Sequence, residues 1–478
     1  MKAQLTLVIP EIIIGSSICL LILVNSFFPT IRQYSGLIIG ILSMISCAFI
    51  SLLFLMDPIT INIFNNHYRI DHLAMGLKLA TYIISIIIFA GTKINKENAK
   101  SELFLIELFA ILGVSLLASA NNLLTLYLGL ETLTLSMYGL VASKRSSEAA
   151  TESAMKFFIL GAIASAIFLY GVSFVYGLYG TLTFGGFNDA IINHSIEMQL
   201  ALTFIICGIG FKFGAVPFHS WVPDSYQGSS ISSALFISTV PKIGAFALIY
   251  RLLFESFMTN VEFWSMLILI LGLLSLILGN LIAIAQNNLR RLLGYSAIGN
   301  IGFILIGFSI GSIDGAVASL VYLIIYILMT AVAFMCLEII SNENRAVVSL
   351  SDIKDLNSSH PWMSLIMLFA MFGMVGIPPF IGFYAKWIVL SELITADMLG
   401  IALIAIIMSV IAAFYYIRVV WYMYFEKNDL PVMQGTSNIL QKTSFSIVGL
   451  SILLIGFYPS PIIDFCKLII SPFLLIDR

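Results

Sequence analysis

Five ionisable side chains stand inside or against long apolar stretches: Glu131, Lys156, Lys212, Lys242 and Lys386. A charge near the centre of a bilayer costs roughly 2.5–3.5 kcal/mol on insertion scales, so residues held there mark ion or proton paths more often than packing. One carboxyl and four amines can each take up and release a proton, and strung through an apolar medium they read as a path for charge. His219 joins them as an imidazole, the side chain that changes charge near neutral pH.

Glu131 lies in YLGLETLTLSMY (127–138), which offers nothing to neutralise it. Lys156 is its expected partner, because the short connection at 143–152 makes the flanking runs antiparallel neighbours. Withdrawing Glu131 from such a pair in low dielectric would push Lys156 to give up its proton; a static pair locking two helices is the plainer alternative. Lys212 and His219 are seven residues apart. On one continuous helix that puts them on one face, about 10 Å apart along the axis, a spacing suited to a hydrated relay. Lys242 follows Pro241 and the hydroxyl-rich segment Ser229–Ser233, which can hold water at membrane depth. Lys386 reads as an exit group, or else as an interfacial lysine snorkelling beside Trp387. Glu107 is a candidate to couple to Glu131. Interfacial placement accounts for Glu11, Glu102 and Glu338, and Lys78 either faces a neighbouring subunit or snorkels.

The elements that position these groups follow from composition. The chain has 478 residues, is 60% hydrophobic and carries only 10% charged residues, against about 25% in soluble domains. A helical crossing takes about 20 mostly apolar residues, and fourteen such runs are marked: 3–23, 34–54, 73–91, 103–120, 123–142, 153–178, 199–218, 230–250, 262–284, 292–310, 318–340, 362–384, 399–424 and 443–460. They are continuous rather than alternating, which excludes a membrane barrel. The expected fold is therefore an all-α, polytopic membrane protein with no soluble domain. With the N-terminus outside, one set of loops holds twelve basic residues (Arg32, Lys93, Lys96, Lys100, Lys144, Arg145, Arg290, Arg291, Arg345, Lys354, Lys427, Lys442) and the other five (Lys2, Arg69, Arg251, Lys467, Arg478). This imbalance places both termini on the outer side. Five scattered cysteines offer neither a disulfide framework nor a metal or iron–sulfur site. The GIG at 208–210 lies within an apolar run, which fails the context of a dinucleotide loop. No redox cofactor is expected in this chain. The first run is expected to be retained, and without a transit peptide the expected location is the bacterial plasma membrane.

The runs seven and twelve echo each other. The first reads GIGFKFGAVPFHSW (208–221) and the second GMVGIPPFIGFYAKW (373–387). Each combines glycine, proline, a lysine and a tryptophan within an apolar segment. Interrupted helices at corresponding places in two halves point to a transporter site, because proline removes a backbone hydrogen bond and frees a carbonyl.

These segments, with Leu128–Glu131, Lys156, the PDSYQG of 223–228 and the NLRRLLGYS of 288–296, resemble the antiporter-like membrane subunits of respiratory complex I, most of all the N-type subunits of NADH:quinone oxidoreductase. The resemblance covers nearly the whole chain. It implies about fourteen helices holding two inverted five-helix repeats with broken helices 7 and 12: helices 1–3 at 1–102, a first repeat at 103–251, a second at 252–425, and a last helix and tail at 426–478. It implies a half-channel in each repeat, with Glu131 and Lys156 as the coupling pair, Lys212 and Lys242 as central lysines and Lys386 as the exit-side lysine. The implied function is proton translocation coupled to quinone reduction elsewhere in the complex. NADH, quinone, FMN and iron–sulfur clusters would belong to other subunits, and the partners would be other membrane subunits, among them other antiporter-like ones. A subunit of a multisubunit sodium/proton antiporter is the alternative, and a scaffold of static ion pairs a third. One departure stands out: Asn300 occupies a position where the family has a histidine, and an amide cannot bind and release a proton near neutral pH.

Overall fold

The computed structural model describes residues 6–28, 32–56, 60–93, 102–144, 147–187, 195–341, 347–427 and 437–470. Twelve of its helices are long and apolar enough to cross a membrane. The expected all-α membrane architecture holds, and every apolar run falls mainly on helix where it is described. The opening helices are α1 (Ile9–Phe27), α2 (Arg32–Met56), α3 (His72–Gly91), α4 (Glu102–Ala118), α5 (Leu123–Val141) and α6 (Glu148–Tyr179). There follow α7 (Ile196–Phe213), α8 (Trp221–Gly228), α9 (Ile231–Ile237), α10 (Val240–Ile249), α11 (Val261–Ile284), α12 (Leu289–Ser309) and α13 (Ile313–Ile340). The chain closes with α14 (Pro361–Val375), α15 (Ile381–Thr395), α16 (Leu399–Tyr424), α17 (Ile439–Phe457) and α18 (Ser460–Ile470).

One small sheet interrupts the helices. Strands β1 (Ile61–Ile63) and β2 (Tyr68–Ile70) pair antiparallel between α2 and α3. The turn joining them places Phe64, Asn65 and Asn66 at positive φ, a region that asparagine tolerates better than most residues. The hairpin marks one side of the helical layer. Helices α1 and α3 start there, and the ends of α3, α5 and α13 reach the far side.

Among the described residues, two breaks fall where the sequence pattern expected them, and a shorter interruption at Ser238 and Thr239 separates α9 from α10. Helix α7 stops at Phe213, and Gly214 follows at φ 73° before α8 starts at Trp221. Helix α14 stops at Val375, and Gly376 follows at φ 88° before α15 starts at Ile381. A left-handed residue ends a helix because it turns the chain away, and only glycine adopts it without a steric penalty.

The hairpin side holds a polar cluster that the sequence reading misplaced. Arg251, counted there as a loop residue, is 0% exposed. It binds both oxygens of Asp71 at 2.7 Å and donates to Glu255 at 2.5 Å and to the Ala118 carbonyl at 2.7 Å. Burial opposes the charge on Asp71, but the Arg251 and Arg69 guanidiniums outweigh it and hold that carboxyl below the ordinary range. Lys78 neither snorkels nor faces a neighbour: it is fully buried, 2.6 Å from Glu11 and 2.6 Å from the Tyr68 hydroxyl. Glu11 is therefore a buried ion-pair partner, not an interfacial residue. Removing one member of such a pair leaves an uncompensated buried charge, so these bonds tie α1, α3 and the hairpin to the body of the protein.

Candidate proton-relay site

The first break gathers four of the expected residues, with different partners from those expected. Glu131 on α5 accepts a hydrogen bond from the Ser165 hydroxyl of α6 at 2.5 Å. Lys212, at the end of α7, donates to Thr134 Oγ1 at 2.9 Å and reaches Ser165 Oγ at 3.4 Å. The carboxyl and the lysine are thus joined through one serine hydroxyl. Thr134 follows Glu131 by three residues and shares its helix face. Neither Ser165 nor Thr134 was singled out from sequence, although a hydroxyl three positions from a carboxyl in an apolar run is a readable signal.

Lys156 is elsewhere. It pairs with Glu152 at 2.6 Å and lies 3.6 Å from Asp224, with half of its side chain exposed. The expected Glu131–Lys156 pair does not form, for a geometric reason. Lys156 and Ser165 are nine residues apart on α6, which is about half a turn out of phase at 100° per residue. Whichever face brings Ser165 to Glu131 turns Lys156 away. Asp224 on α8 also accepts from Arg291 of α12 at 2.6 Å, so this acid links α6, α8 and α12.

His219 and Lys212 share no helix face, because α7 ends between them. The imidazole sits in the linking turns, 6.5 Å from the Tyr295 ring, and its Nδ1 is buried without a partner among the described residues. Lys242 on α10 is 1% exposed and donates to the Phe213 carbonyl at 2.7 Å. A cavity of about 20 Å³ lies beside Lys212, lined by Thr134, Pro241 and Gly244 and otherwise by apolar side chains such as Leu130, Leu133 and Met137. That volume has room for about one water.

Lys386 on α15 is 8% exposed, which excludes snorkelling beside the exposed Trp387. Its amine donates to the Val375 carbonyl at 2.7 Å and to Ser409 Oγ of α16 at 2.7 Å. The lysine stem packs on Gly376, where an added Cβ would come within 2.9 Å of Lys386 Cδ. Its amine also lies 5.5 Å from the centre of the Phe303 ring, which stacks on Tyr322. Tyr322 donates to Asn300 Oδ1 at 2.8 Å, while the Asn300 amide donates to the Ser296 carbonyl and the Tyr416 hydroxyl at 2.8 and 3.1 Å. Asn300 is therefore fully engaged in a neutral network. Glu107, the candidate to couple to Glu131, is completely buried on α4, and its carboxyl oxygens have no hydrogen-bond partner among the described residues.

Comparison with known proteins fits this arrangement. Residues 120–412 match the family described as NADH:quinone oxidoreductase/Mrp antiporter, TM. NADH-quinone oxidoreductase subunit N of Thioalkalivibrio sulfidiphilus is 38% identical over 463 residues, 95% of this chain and 95% of that protein. A chain of respiratory complex I from Thermus thermophilus, solved with bound aureothin, superposes with a TM-score of 0.82 at 27% identity, covering 95% of this chain and 98% of that one. A chain of the Mrp complex from Dietzia sp. superposes with a TM-score of 0.86 at 16% identity, covering 97% and 96%, and shows a shared fold. The chain belongs to the subunit N family of NADH-quinone oxidoreductases, within the wider NADH:quinone oxidoreductase/Mrp antiporter membrane family.

Proposed function

We propose that this chain carries protons across the membrane as the N-type subunit of an NADH:quinone oxidoreductase, through Glu131, Lys212, Lys242 and Lys386. The observation that carries the reading is the bonded sequence from Glu131 through Ser165 to Lys212 at a helix break, with a water-sized cavity beside Lys212 against Pro241 and Gly244 of α10. Hydroxyls and single waters pass protons by exchanging donor and acceptor roles, so a serine between an acid and an amine is a conductor as well as a spacer. Lys242 and Lys386 each rest on a carbonyl freed by a break, which supplies polar company without a fixed counter-charge. Lys156, at the surface with Asp224, is placed to sense a neighbouring subunit instead of neutralising Glu131. His219 lines the break as a further proton-holding group.

The redox groups of the complex lie in other subunits, and this chain contributes the path. It has two five-helix repeats, 103–251 and 252–425, around the two breaks. Both termini face outward from a bacterial plasma membrane, and other membrane subunits, antiporter-like ones included, flank it. The likeness to an Mrp chain is one of fold, and no feature of the site favours sodium exchange.

The test is NADH-driven proton uptake by inverted membrane vesicles bearing Lys212→Ala, with assembly checked on a native gel. Uptake at least about tenfold lower in an assembled complex is the expected result, the scale set by loss of one proton-transfer group. Unchanged uptake would remove Lys212 from the path.

A further inference from the structure

The far side of the second half holds polar groups that the relay does not use. They run along α13. Tyr322, Tyr326 and Thr330 are spaced four apart, which makes one stripe on the helix surface. Tyr322 ends that stripe on Asn300, and the hydroxyls of Tyr326 and Thr330 have no hydrogen-bond partner among the described residues. Glu338 lies eight residues beyond Thr330, about 12 Å along the axis. Tyr226 of α8 covers that gap, its ring 5.6 Å from Phe334 with Tyr326 in its field.

Three further hydroxyls in this region, those of Ser225, Tyr226 and Ser229, also have no hydrogen-bond partner among the described residues. Their residues are 0%, 0% and 2% exposed. Buried hydroxyls in folded proteins are almost always bonded, to protein or to water. At the far end Glu338 accepts from Ser232 at 2.7 Å and is 6% exposed. Lys93 and Arg290 are the basic groups facing it. Arg290 donates to the Ser229 carbonyl at 2.8 Å and Lys93 to the Ser341 carbonyl at 3.0 Å.

We propose that this stripe is a water-bearing proton uptake path from the far side to the Asn300 network, with Glu338 as its outermost acceptor. The inference rests on the relay reading above. It gives the second half its own connection to the side from which protons are drawn. Glu338 takes a proton at the mouth beside Lys93 and Arg290. Ser232 and the free hydroxyls around Tyr226 then pass it to Tyr326 and Tyr322. No covalent step is involved, and each transfer moves one proton between oxygens.

The experiment compares Glu338→Gln, Glu338→Asp and Lys212→Ala in the whole complex, by NADH-driven proton uptake in inverted vesicles with assembly checked on a native gel. Glu338→Gln is expected to lower uptake at least about threefold in an assembled complex, and Glu338→Asp to restore at least half of it, since only the acid can exchange protons. Full uptake by Glu338→Gln alongside failure of Lys212→Ala overturns the path and leaves the relay standing. Equal loss in the Gln and Asp variants overturns it as well, because packing alone would then explain Glu338. Full uptake by Lys212→Ala also would indict the relay reading itself. If Glu338→Gln does not assemble, Tyr226→Phe carries the same test: reduced uptake supports the path, and full uptake overturns it.

Discussion

At the first break Lys242 donates to the carbonyl of Phe213, one residue before the left-handed Gly214. At the second, Lys386 donates to the carbonyl of Val375, one residue before the left-handed Gly376. The backbone solution is the same, because ending a helix orphans its last carbonyls and an amine can satisfy one. The surroundings differ. The first break has a carboxyl, a bridging serine, two lysines and room for a water. The second has one lysine held by two acceptors, beside a network of asparagine and tyrosine that holds no group of ordinary pKa near 7. The first half is built to store and hand over protons, the second to hold one lysine firmly beside neutral hydrogen bonds.

That contrast extends to the backbone. An added Cβ on Gly382 would lie 1.9 Å from the Gly373 carbonyl oxygen, so the two halves of the second break touch main chain to main chain. At the first break, an added Cβ on Gly214 would meet side chains alone, Val222 at 2.3 Å and the Trp221 ring at 3.5 Å. Gly382→Ala is therefore expected to have the largest effect of all, about 3 kcal/mol or more of strain and no assembled complex on a native gel. Normal assembly would show that the second break is looser than its contacts indicate.

The next effect down concerns whether the two halves work in series. Lys212→Ala and Lys386→Ala are each expected to cut NADH-driven uptake about tenfold or more. If one path runs through both breaks, the double variant loses no more than the worse single one, the non-additivity of residues acting as a unit. Multiplying losses would mean that each break serves a path of its own.

Asn300→His sharpens the comparison with a smaller change. It places a group of ordinary pKa about 6.5 inside the neutral network. Uptake should then acquire a dependence on pH between about 5.5 and 7.5 that the unsubstituted chain lacks at this position. A profile identical to that of the unsubstituted complex would mean that the network stands apart from the path.

Much of this was legible in the residue pattern, and the failures have physical causes. The crossings and both breaks follow from apolar length and from glycine and proline, which act locally. The lysines that matter are visible because an amine in an apolar run is expensive wherever it faces. Partners are another matter, because they depend on helix phase. Lys156 was matched to Glu131 by proximity in sequence, whereas Ser165, half a turn away on the same helix, is the one that turns toward it. The spacing of Lys212 and His219 was read on an unbroken helix, although Gly214 and Pro217 between them already denied that helix. The buried set of Glu11, Lys78, Asp71 and Arg251 went unseen because its members come from segments far apart in sequence, and nothing in any one segment names its partner in another.

The smallest predicted effect tests the shorter of the two hydroxyl hydrogen bonds that Lys212 makes. Thr134→Val keeps the shape of the side chain and removes the acceptor 2.9 Å from the amine. A hydrogen bond to a charged group is worth about 1.5–3 kcal/mol, but Ser165 remains within 3.4 Å as a second acceptor, so only part of that is lost. Uptake should fall about threefold, less than for Lys212→Ala. Thr134→Ser, which keeps the hydroxyl, should restore it. If valine and serine behave alike, Lys212 is positioned by Ser165 and Glu131 alone, and the first half relies on its carboxyl more than on its hydroxyls.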